Sequence, residues 1–222
     1  SELLVYRLSE YSQVKDRNFN VLLIDDSSLN AFAAPGGVIG INGGLFLNAQ
    51  NEGQFASVIT HELAHLSQRH FARNILNSQD NNIASVLVMV SAMAAAIATN
   101  NPTAFMAGPA FLQQQSLRYS RLFEREADRV GFNNLINADY DPSSMGEMFE
   151  QMAKLRRLAG DKIPEFLLTH PISSSRVADA FNAADQVEIP LKNNDSLNYQ
   201  FIRGRLQIRY ENIPLNSVRK ME

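Results

Sequence analysis

The stretch 58–70, VITHELAHLSQRH, places two histidines four residues apart, with a glutamate directly after the first. On an α-helix, residues four apart share one face, because each residue turns the chain by about 100°. The imidazoles of His61 and His65 can therefore bind one metal ion. Glu62 lies beside the first of them, where a carboxylate can polarise a water molecule and take its proton.

The residues around this motif predict a helix. Phe55, Ile59, Leu63 and Leu66 recur at helical spacing, on a stripe largely away from the two histidines. We expect one helix over 55–76. The alternative is an amphipathic helix with two surface histidines, but the chain has only four histidines in 222 residues. Two of them in this arrangement favour a metal site.

The composition limits what such a site can use. The chain has no cysteine, so a metal must be held by histidine and carboxylate side chains. Its net charge of −3 argues against a nucleic-acid-binding surface. The sequence starts at Ser1 without a signal pattern, and we expect a mature or excised form whose targeting segment has been removed.

A catalytic zinc ion needs three protein ligands and an open position for water. A third histidine on the same segment would follow the spacing His-Glu-x-x-His-x-x-Gly-x-x-His, but Gln68 and Phe71 hold those positions. His70 is nine residues from His61, which is about 180° around a continuous helix. We interpret His70 as a surface histidine, or as one that contacts a ligand without binding the metal.

A carboxylate from a later helix is the other source of a third ligand. The segment 117–136 has helical spacing and offers Glu124 and Glu126, which lie on opposite sides of that helix. Glu124 is favoured because Asp128 lies one turn further on the same face. There Asp128 can accept the distal N–H of a ligating histidine and fix its tautomer.

The segment 30–46, NAFAAPGGVIGINGGLF, predicts two short strands around a Pro35-Gly36-Gly37 turn, after a first strand at 19–24. Its further glycines suit a place where another backbone comes close. We interpret the segment as an edge strand that pairs with an extended peptide. A glycine-rich hairpin that only turns the chain is the alternative.

Residues 83–98 form the most hydrophobic run, and a second apolar segment follows at 103–112. The run is shorter than the roughly 20 apolar residues that span a membrane. We predict a helical hairpin over 83–112. Packing into the core, a lid over the site and contact with a membrane interface are its alternative roles.

The C-terminal third is predicted to be mostly helical. Residues 143–158 form an amphipathic helix with methionines in the core, 160–168 a loop, and 173–184 a helix capped by serine. The character changes at Val187. Beyond a polar linker, residues 197–210 have an amphipathic pattern without an obvious partner, typical of the first element of a further region.

Four motifs together resemble one family of metallopeptidases. They are the His61–His65 motif, Glu124 and Asp128 within FEREAD, the segment NAFAAPGG, and His170-Pro171 followed by Arg176. The chain resembles the HtpX-like and prenyl-protein (CAAX) protease family, which is family forty-eight of the metallopeptidases, over roughly residues 27–184. Without a clear transmembrane span, it is most similar to the soluble periplasmic branch, in which tetratricopeptide repeats follow the catalytic domain.

The resemblance implies a gluzincin (zincin-like) metallopeptidase fold of class α+β, mainly α, with a small β-sheet beside the active-site helix. It implies a catalytic domain over 1–186. Residues 187–222 would then be a linker and the start of a helical, tetratricopeptide-like region that the chain lacks.

The resemblance also implies the residues of the site. One zinc ion per chain would be held by His61, His65 and Glu124, with Glu62 as general base and Asp128 in support. The segment 30–41 would contribute the edge strand on which the substrate lies. The residues expected to bind substrate are Asn30, Ala31, Phe32, Ala33, Gly37, Val38 and Ile39.

His170 and Arg176 are marked as functional by the same resemblance, which does not fix their roles. An imidazole in the site could stabilise the oxyanion of the tetrahedral intermediate. It could instead occupy the open zinc position as a fourth ligand and keep the enzyme latent. A structural role, in which His170 caps the following helix, is the third alternative.

We therefore predict a zinc endopeptidase that cleaves extended or unfolded polypeptides. The resemblance implies unfolded or misassembled outer-membrane proteins as substrates, in the periplasm of a Gram-negative bacterium, and contact with the outer-membrane assembly machinery through C-terminal repeats. Membrane contact would involve 83–112, and no nucleic acid is expected as a partner. The competing hypothesis is a chaperone-like assembly or scaffolding factor for membrane proteins, in which proteolysis is latent or secondary.

Overall fold

Helices make up most of the structure, a computed structural model that describes residues 2–77, 121–160, 162–188 and 195–211. Three short strands form one mixed sheet, so the predicted mainly helical α+β class is confirmed. The helices are α1 (Glu2–Ser9), α2 (Gly43–Asn48), α3 (Glu52–Ser67), α4 (His70–Asn77), α5 (Arg121–Asn137), α6 (Ser143–Leu158), α7 (Glu165–Thr169), α8 (Ser174–Asp185) and α9 (Leu197–Glu211). The strands are β1 (Asn20–Ile24), β2 (Ala31–Ala34) and β3 (Val38–Asn42).

The predicted apolar hairpin over 83–112 lies outside the described residues. Within the ranges that are described, no helix has both the length and the apolarity needed to cross a membrane.

The sheet has the strand order β1-β3-β2. β1 runs parallel to β3, and β2 runs antiparallel to β3, with Ala33 opposite Ile39. The predicted turn between β2 and β3 is confirmed. Gly36 and Gly37 have φ angles of 84° and 75° there, which residues with a Cβ atom rarely adopt. β2 is therefore an edge strand of the sheet.

Helix α3 is the central element. The Asn51 side chain caps its N-terminus by accepting a hydrogen bond from Gln54 N at 2.8 Å. Every residue from Gly53 to His65 is buried, because α1, α5, α6 and β2 all pack against this helix. The polar side chains of α3 in this stretch must therefore find partners inside the protein.

The predicted single helix over 55–76 is wrong, because the chain forms two helices there. α3 ends at Ser67 and α4 begins at His70. Between them Arg69 has a φ of 53°, in the left-handed region, which turns the chain. His70 therefore does not continue the rotation of α3. It is fully buried, so its interpretation as a surface histidine is wrong.

The C-terminal helices agree with the sequence in part. α6 has the predicted bounds, and its methionines Met145, Met148 and Met152 are buried as expected. α8 begins after Ser173, whose side chain accepts a hydrogen bond from Arg176 N. The prediction of a loop over 160–168 is incomplete, because the short helix α7 forms within it and continues to Thr169.

Helix α9 has the partner that its sequence did not reveal. Tyr199 is buried against Phe46 of α2 and Phe55 of α3, with ring centroids 5.9 and 5.7 Å away. Its hydroxyl donates a hydrogen bond to Ala49 O at 2.9 Å. These aromatic partners lie about 150 residues earlier in the chain, so the local pattern of α9 could not indicate them.

Replacing Tyr199 with Ala is expected to lower the free energy of unfolding by about 3–5 kcal/mol, because the substitution leaves a cavity between α9, α2 and α3. Tyr199→Phe is the matched control. It removes only the hydroxyl and should cost about 1 kcal/mol. Urea unfolding measures both values. Equal losses for the two variants would contradict the packing of α9 on α2.

Candidate metal centre

Four buried side chains direct their ligand atoms at one point, and these atoms lie within 4.8 Å of one another. The Nε2 atoms of His61 and His65 are 3.0 Å apart. Glu124 Oε2 lies 3.6 Å from His61 Nε2, and Glu124 Oε1 lies 3.4 Å from His65 Nε2. The fourth is His170, whose Nδ1 lies 3.4 Å from His61 Nε2. The structure thus brings the four predicted ligands together.

The donor set fits a divalent cation. Both Nε2 atoms and a buried carboxylate face one another at these short distances, and like-charged lone pairs repel unless a cation lies between them. Without a metal ion, the carboxylates of Asp128 and Glu124 outweigh burial and raise the pKa of His61 to about 9, so a proton on His61 supplies the positive charge that a bound cation would replace. Burial lowers the pKa of His65 well below its usual value, so that ring is neutral. Histidine and carboxylate together are ligands that zinc accepts.

Helices α3 and α5 hold these ligands because they lie unusually close to each other. A Cβ atom at Gly131 of α5 would be only 3.0 Å from the backbone N and Cα atoms of His61. Glycine at this position lets Glu124, two turns earlier on α5, reach the histidine pair. A side chain at 131 would require the backbone of α3 at His61 to shift by a few tenths of an ångström.

Asp128 lies one turn after Glu124, at the place the sequence predicts. Its Oδ1 atom is 3.0 Å from His61 Nδ1, so the ring can keep its proton on that side and direct the Nε2 lone pair at the centre. The alternative candidate Glu126 points elsewhere, since its Oε2 lies 3.0 Å from His70 Nε2. The spacing argument that favoured Glu124 over Glu126 therefore agrees with the geometry.

Arg176 holds both carboxylates from the other side. Its Nε and Nη2 atoms donate to the two oxygens of Asp128 at 2.7 Å each. Its Nη1 lies 2.9 Å from Glu124 Oε2 and donates to Pro171 O at the same distance. Arg176 is itself buried. The guanidinium therefore fixes the carboxylates and balances their charge inside the protein.

Glu62 links this cluster of predicted ligands to the edge strand. Its Oε2 accepts a hydrogen bond from Ala33 N of β2 at 3.0 Å. Its Oε1 is buried, has no hydrogen-bond partner among the described residues, and faces His170 Nε2 at 3.4 Å. Burial raises the pKa of this carboxyl group. One oxygen is thus held in place while the other is available for a proton.

His170 fills the space between the ligands and Glu62. Its Nδ1 lies 3.0 Å from Glu124 Oε1, and its ring packs against Phe166 at a centroid distance of 4.6 Å. The alternative in which His170 caps the following helix is wrong, because Ser173 is the residue that caps α8. The imidazole therefore lies where a water molecule and a substrate carbonyl would have to enter.

The predicted substrate-binding residues fall into two groups. Ala33 N points away from β3 and donates to Glu62. Because the direction alternates along a strand, the N–H and C=O groups of Ala31 and Ala33 lie on the outer edge of β2, whereas those of Phe32 face β3. Asn30 directly precedes this strand. Val38 and Ile39 belong to the central strand β3, which is paired on both sides, and Gly37 lies in the turn. Among the predicted substrate-binding residues, those of β2 are thus the ones with a backbone group directed toward the site.

An open cleft of about 340 Å³ lies beside this edge. Its walls include Phe19, Ala33, His65, Leu66 and Phe71. The cleft therefore extends from the predicted ligand His65 past Ala33 to the turn between β2 and β3.

A family profile described as Peptidase family M48 matches residues 2–184. A relative from Vibrio cholerae is 39% identical over 202 residues, which are 88% of this chain and 40% of the relative. The beta-barrel assembly-enhancing protease of Escherichia coli O157:H7 is 34% identical over 204 residues, 90% of this chain and 41% of that protein.

A mitochondrial relative is more distant. The mitochondrial metalloendopeptidase OMA1 of Arabidopsis thaliana is 30% identical over 165 residues, which are 74% of this chain and 31% of that protein. The chain therefore spans about two fifths of the length of the bacterial relatives and less of the mitochondrial one.

Proposed function

The chain belongs to peptidase family M48, and from this premise we propose that it is a zinc-dependent endopeptidase for unfolded or misassembled polypeptides. The observation that carries the proposal is the convergence of His61, His65 and Glu124 beside a carboxylate, Glu62, that is bonded to an edge strand. A ligand set, a general base and a peptide-binding edge thus adjoin one another, as peptide hydrolysis requires.

The metal would be held by His61, His65 and Glu124. Zinc in that position supplies Lewis acidity, which lowers the pKa of water to about 7 and polarises a peptide carbonyl. The residues around it prepare the ligands. Asp128 orients His61, and Arg176 keeps Asp128 and Glu124 ionised where they are buried.

Glu62 is the general base and then the general acid in this proposal. Its free Oε1 takes the proton of the attacking water, and the protonated carboxyl passes that proton to the leaving amine. The raised pKa of buried Glu62 supports this role, because a carboxyl group must give the proton back within one catalytic cycle. The hydrogen bond from Ala33 N keeps the side chain directed at the site.

The substrate would lie along β2 as an added antiparallel strand. Backbone pairing with Ala31 and with the carbonyl of Ala33, whose N–H is bonded to Glu62, reads the main chain and is largely blind to side chains. Such pairing suits polypeptides that have lost or not yet reached their fold. The name of the Escherichia coli relative refers to β-barrel assembly. We therefore propose envelope proteins as substrates, a periplasmic location, and contact with the outer-membrane assembly machinery through the region that follows a catalytic domain over 1–186.

His170 keeps the enzyme latent in this proposal, as a fourth ligand. Its ring lies within 3.4 Å of ligand atoms on one side and of Glu62 Oε1 on the other. Water and a substrate carbonyl need that same space. Activation would require the segment between α7 and α8 to withdraw.

Replacing His170 with Ala should raise the rate at which the protein cleaves an unfolded polypeptide. If the closed arrangement holds nine molecules in ten, its removal gives about a tenfold increase. Fragments are followed by mass spectrometry, with a zinc chelator as the control that stops cleavage. A fall to near zero would instead assign His170 to oxyanion stabilisation. Absence of cleavage by both the wild type and the variant would contradict the proposed function.

A further inference from the structure

A chain of polar contacts runs from His65 to the protein surface, on the side opposite its ligand atom. His65 Nδ1 lies 2.9 Å from His70 Nδ1. His70 Nε2 lies 3.0 Å from Glu126 Oε2, which also accepts a hydrogen bond from Arg73 Nη1 at 2.8 Å. His70 is fully buried, whereas Arg73 is largely exposed.

The Glu126–Arg73 ion pair at the outer end of this series of contacts fixes the direction of its hydrogen bonds. Glu126 forms an ion pair with Arg73, and an ionised carboxylate only accepts. His70 must therefore donate its Nε2–H to Glu126, and in a neutral ring its Nδ1 is then an acceptor. His65 consequently donates its Nδ1–H to His70. The lone pair of His65 is then on Nε2, and this is the atom that faces the cluster of predicted ligands.

Stacking holds the ring of His70 in the orientation that its contacts with His65 and Glu126 require. Phe123 stacks on it with a centroid distance of 4.6 Å and an interplanar angle of 9°. The Arg73 guanidinium carbon lies 4.5 Å from the centroid of Phe123. Phe123 is thus enclosed by the two residues that Glu126 joins. The stacked arrangement limits rotation of the imidazole.

His61 has a comparable arrangement. Its Nδ1 faces Asp128, which is bound by Arg176. The two histidines thus each have an acceptor behind them, buried His70 for His65 and partly buried Asp128 for His61, and an arginine beyond that acceptor. For His61 the acceptor comes from α5, where the spacing of the predicted ligand helix reveals it. For His65 it comes from α4, beyond the break at Arg69.

We propose that His70 is a positioning residue of the metal centre, which orients His65 and fixes its tautomer, and that Glu126 in turn fixes the tautomer of His70. This inference rests on the zinc site of the proposed function. It assigns a role to two residues that neither bind the metal nor touch the substrate. Buried partners of ligating histidines typically change metal affinity by about 10–100-fold when they are removed.

A pair of substitutions at His70 separates positioning from packing. Asn carries its Oδ1 near the position of Nδ1 and can still accept from His65, whereas Leu fills a similar volume and cannot accept. We expect His70→Leu to weaken zinc binding by about 10–100-fold and His70→Asn to stay within about threefold of the wild type. Zinc affinity is measured by competition with a chromophoric chelator. The visible spectrum of the cobalt-substituted protein reports the ligand geometry independently of activity.

The outcomes distinguish this inference from the proposed function. If the wild type binds no zinc, the proposed function fails. If the wild type binds zinc and His70→Leu binds it equally well, or if Leu and Asn weaken binding equally, the positioning role is overturned. A cobalt spectrum that changes with Leu and is restored with Asn supports it.

Glu126 provides a second test if His70→Leu does not fold. Its side chain is partly exposed, so substitutions there should leave the fold intact. Glu126→Met removes the acceptor for His70, whereas Glu126→Gln keeps an acceptor oxygen. We expect Met to weaken zinc binding by several fold more than Gln. Equal affinities of the two variants would overturn the assignment.

Discussion

Replacing Glu62 with Gln is expected to reduce peptide hydrolysis by about 10²–10⁴-fold, which is the usual contribution of a general acid–base residue. An amide cannot take a proton from water or return one to the leaving amine. The loss should appear in kcat, because substrate pairing with β2 does not require ionised Glu62.

The same variant should keep the metal and the fold. The amide oxygen of Gln can still accept the hydrogen bond that Ala33 N now donates to Glu62 Oε2. No ligand of the proposed metal is altered. Removing a buried carboxylate also removes the cost of its desolvation, so the stability of the variant should equal or exceed that of the wild type.

The test measures two quantities for the wild type and for Glu62→Gln. They are the rate of cleavage of an unfolded polypeptide and the zinc content of the protein. Loss of cleavage with full zinc content supports the enzyme. If the wild type cleaves no substrate and Glu62→Gln retains full activity in cells, the competing hypothesis of a chaperone-like assembly factor is favoured. If Glu62→Gln cleaves as fast as the wild type, another residue is the base.

The sequence predicted the part of the site that depends on helical periodicity. His61, Glu62 and His65 lie within one helical turn, and Glu124 and Asp128 lie within another. Spacing alone therefore indicates which of these side chains share a face. It also ranked Glu124 above Glu126, because only Glu124 has a carboxylate one turn further on the same face.

The sequence failed where one residue changes the direction of the chain. In a continuous helix His70 would lie about 180° from His61, but Arg69 breaks the helix with a φ of 53°. Arg is not a residue that signals such a turn, unlike Gly or Asn. Contacts between residues far apart in the sequence could not be predicted either. Neither the burial of Tyr199 between Phe46 and Phe55 nor the clamp that Arg176 forms on Asp128 follows from local spacing.

Arg176→Met is expected to lower the free energy of unfolding of the metal-free protein by about 3–5 kcal/mol. Methionine fills much of the same volume, so the loss comes from charge. Buried Glu124 and partly buried Asp128 would lose the guanidinium that now contacts both. Arg176→Lys is the matched control. It keeps the charge but cannot donate to both oxygens of Asp128, so a smaller loss is expected.

The pH dependence of the stability difference shows whether the lost charge of Arg176 causes the destabilisation. Burial alone would raise the pKa of Asp128, but His61 and Arg176 hold it below its usual value. A carboxyl group with a lowered pKa stabilises the fold above its unfolded pKa of about 3.9, and this stabilisation is lost as the pH falls through the folded value. The difference between wild type and Arg176→Met should therefore be largest near pH 7 and shrink as the carboxyl groups become protonated at lower pH. Urea unfolding with a chelator at pH 7 and pH 3.5 measures it, and an equal difference at both values would mean that Arg176 stabilises the fold through packing.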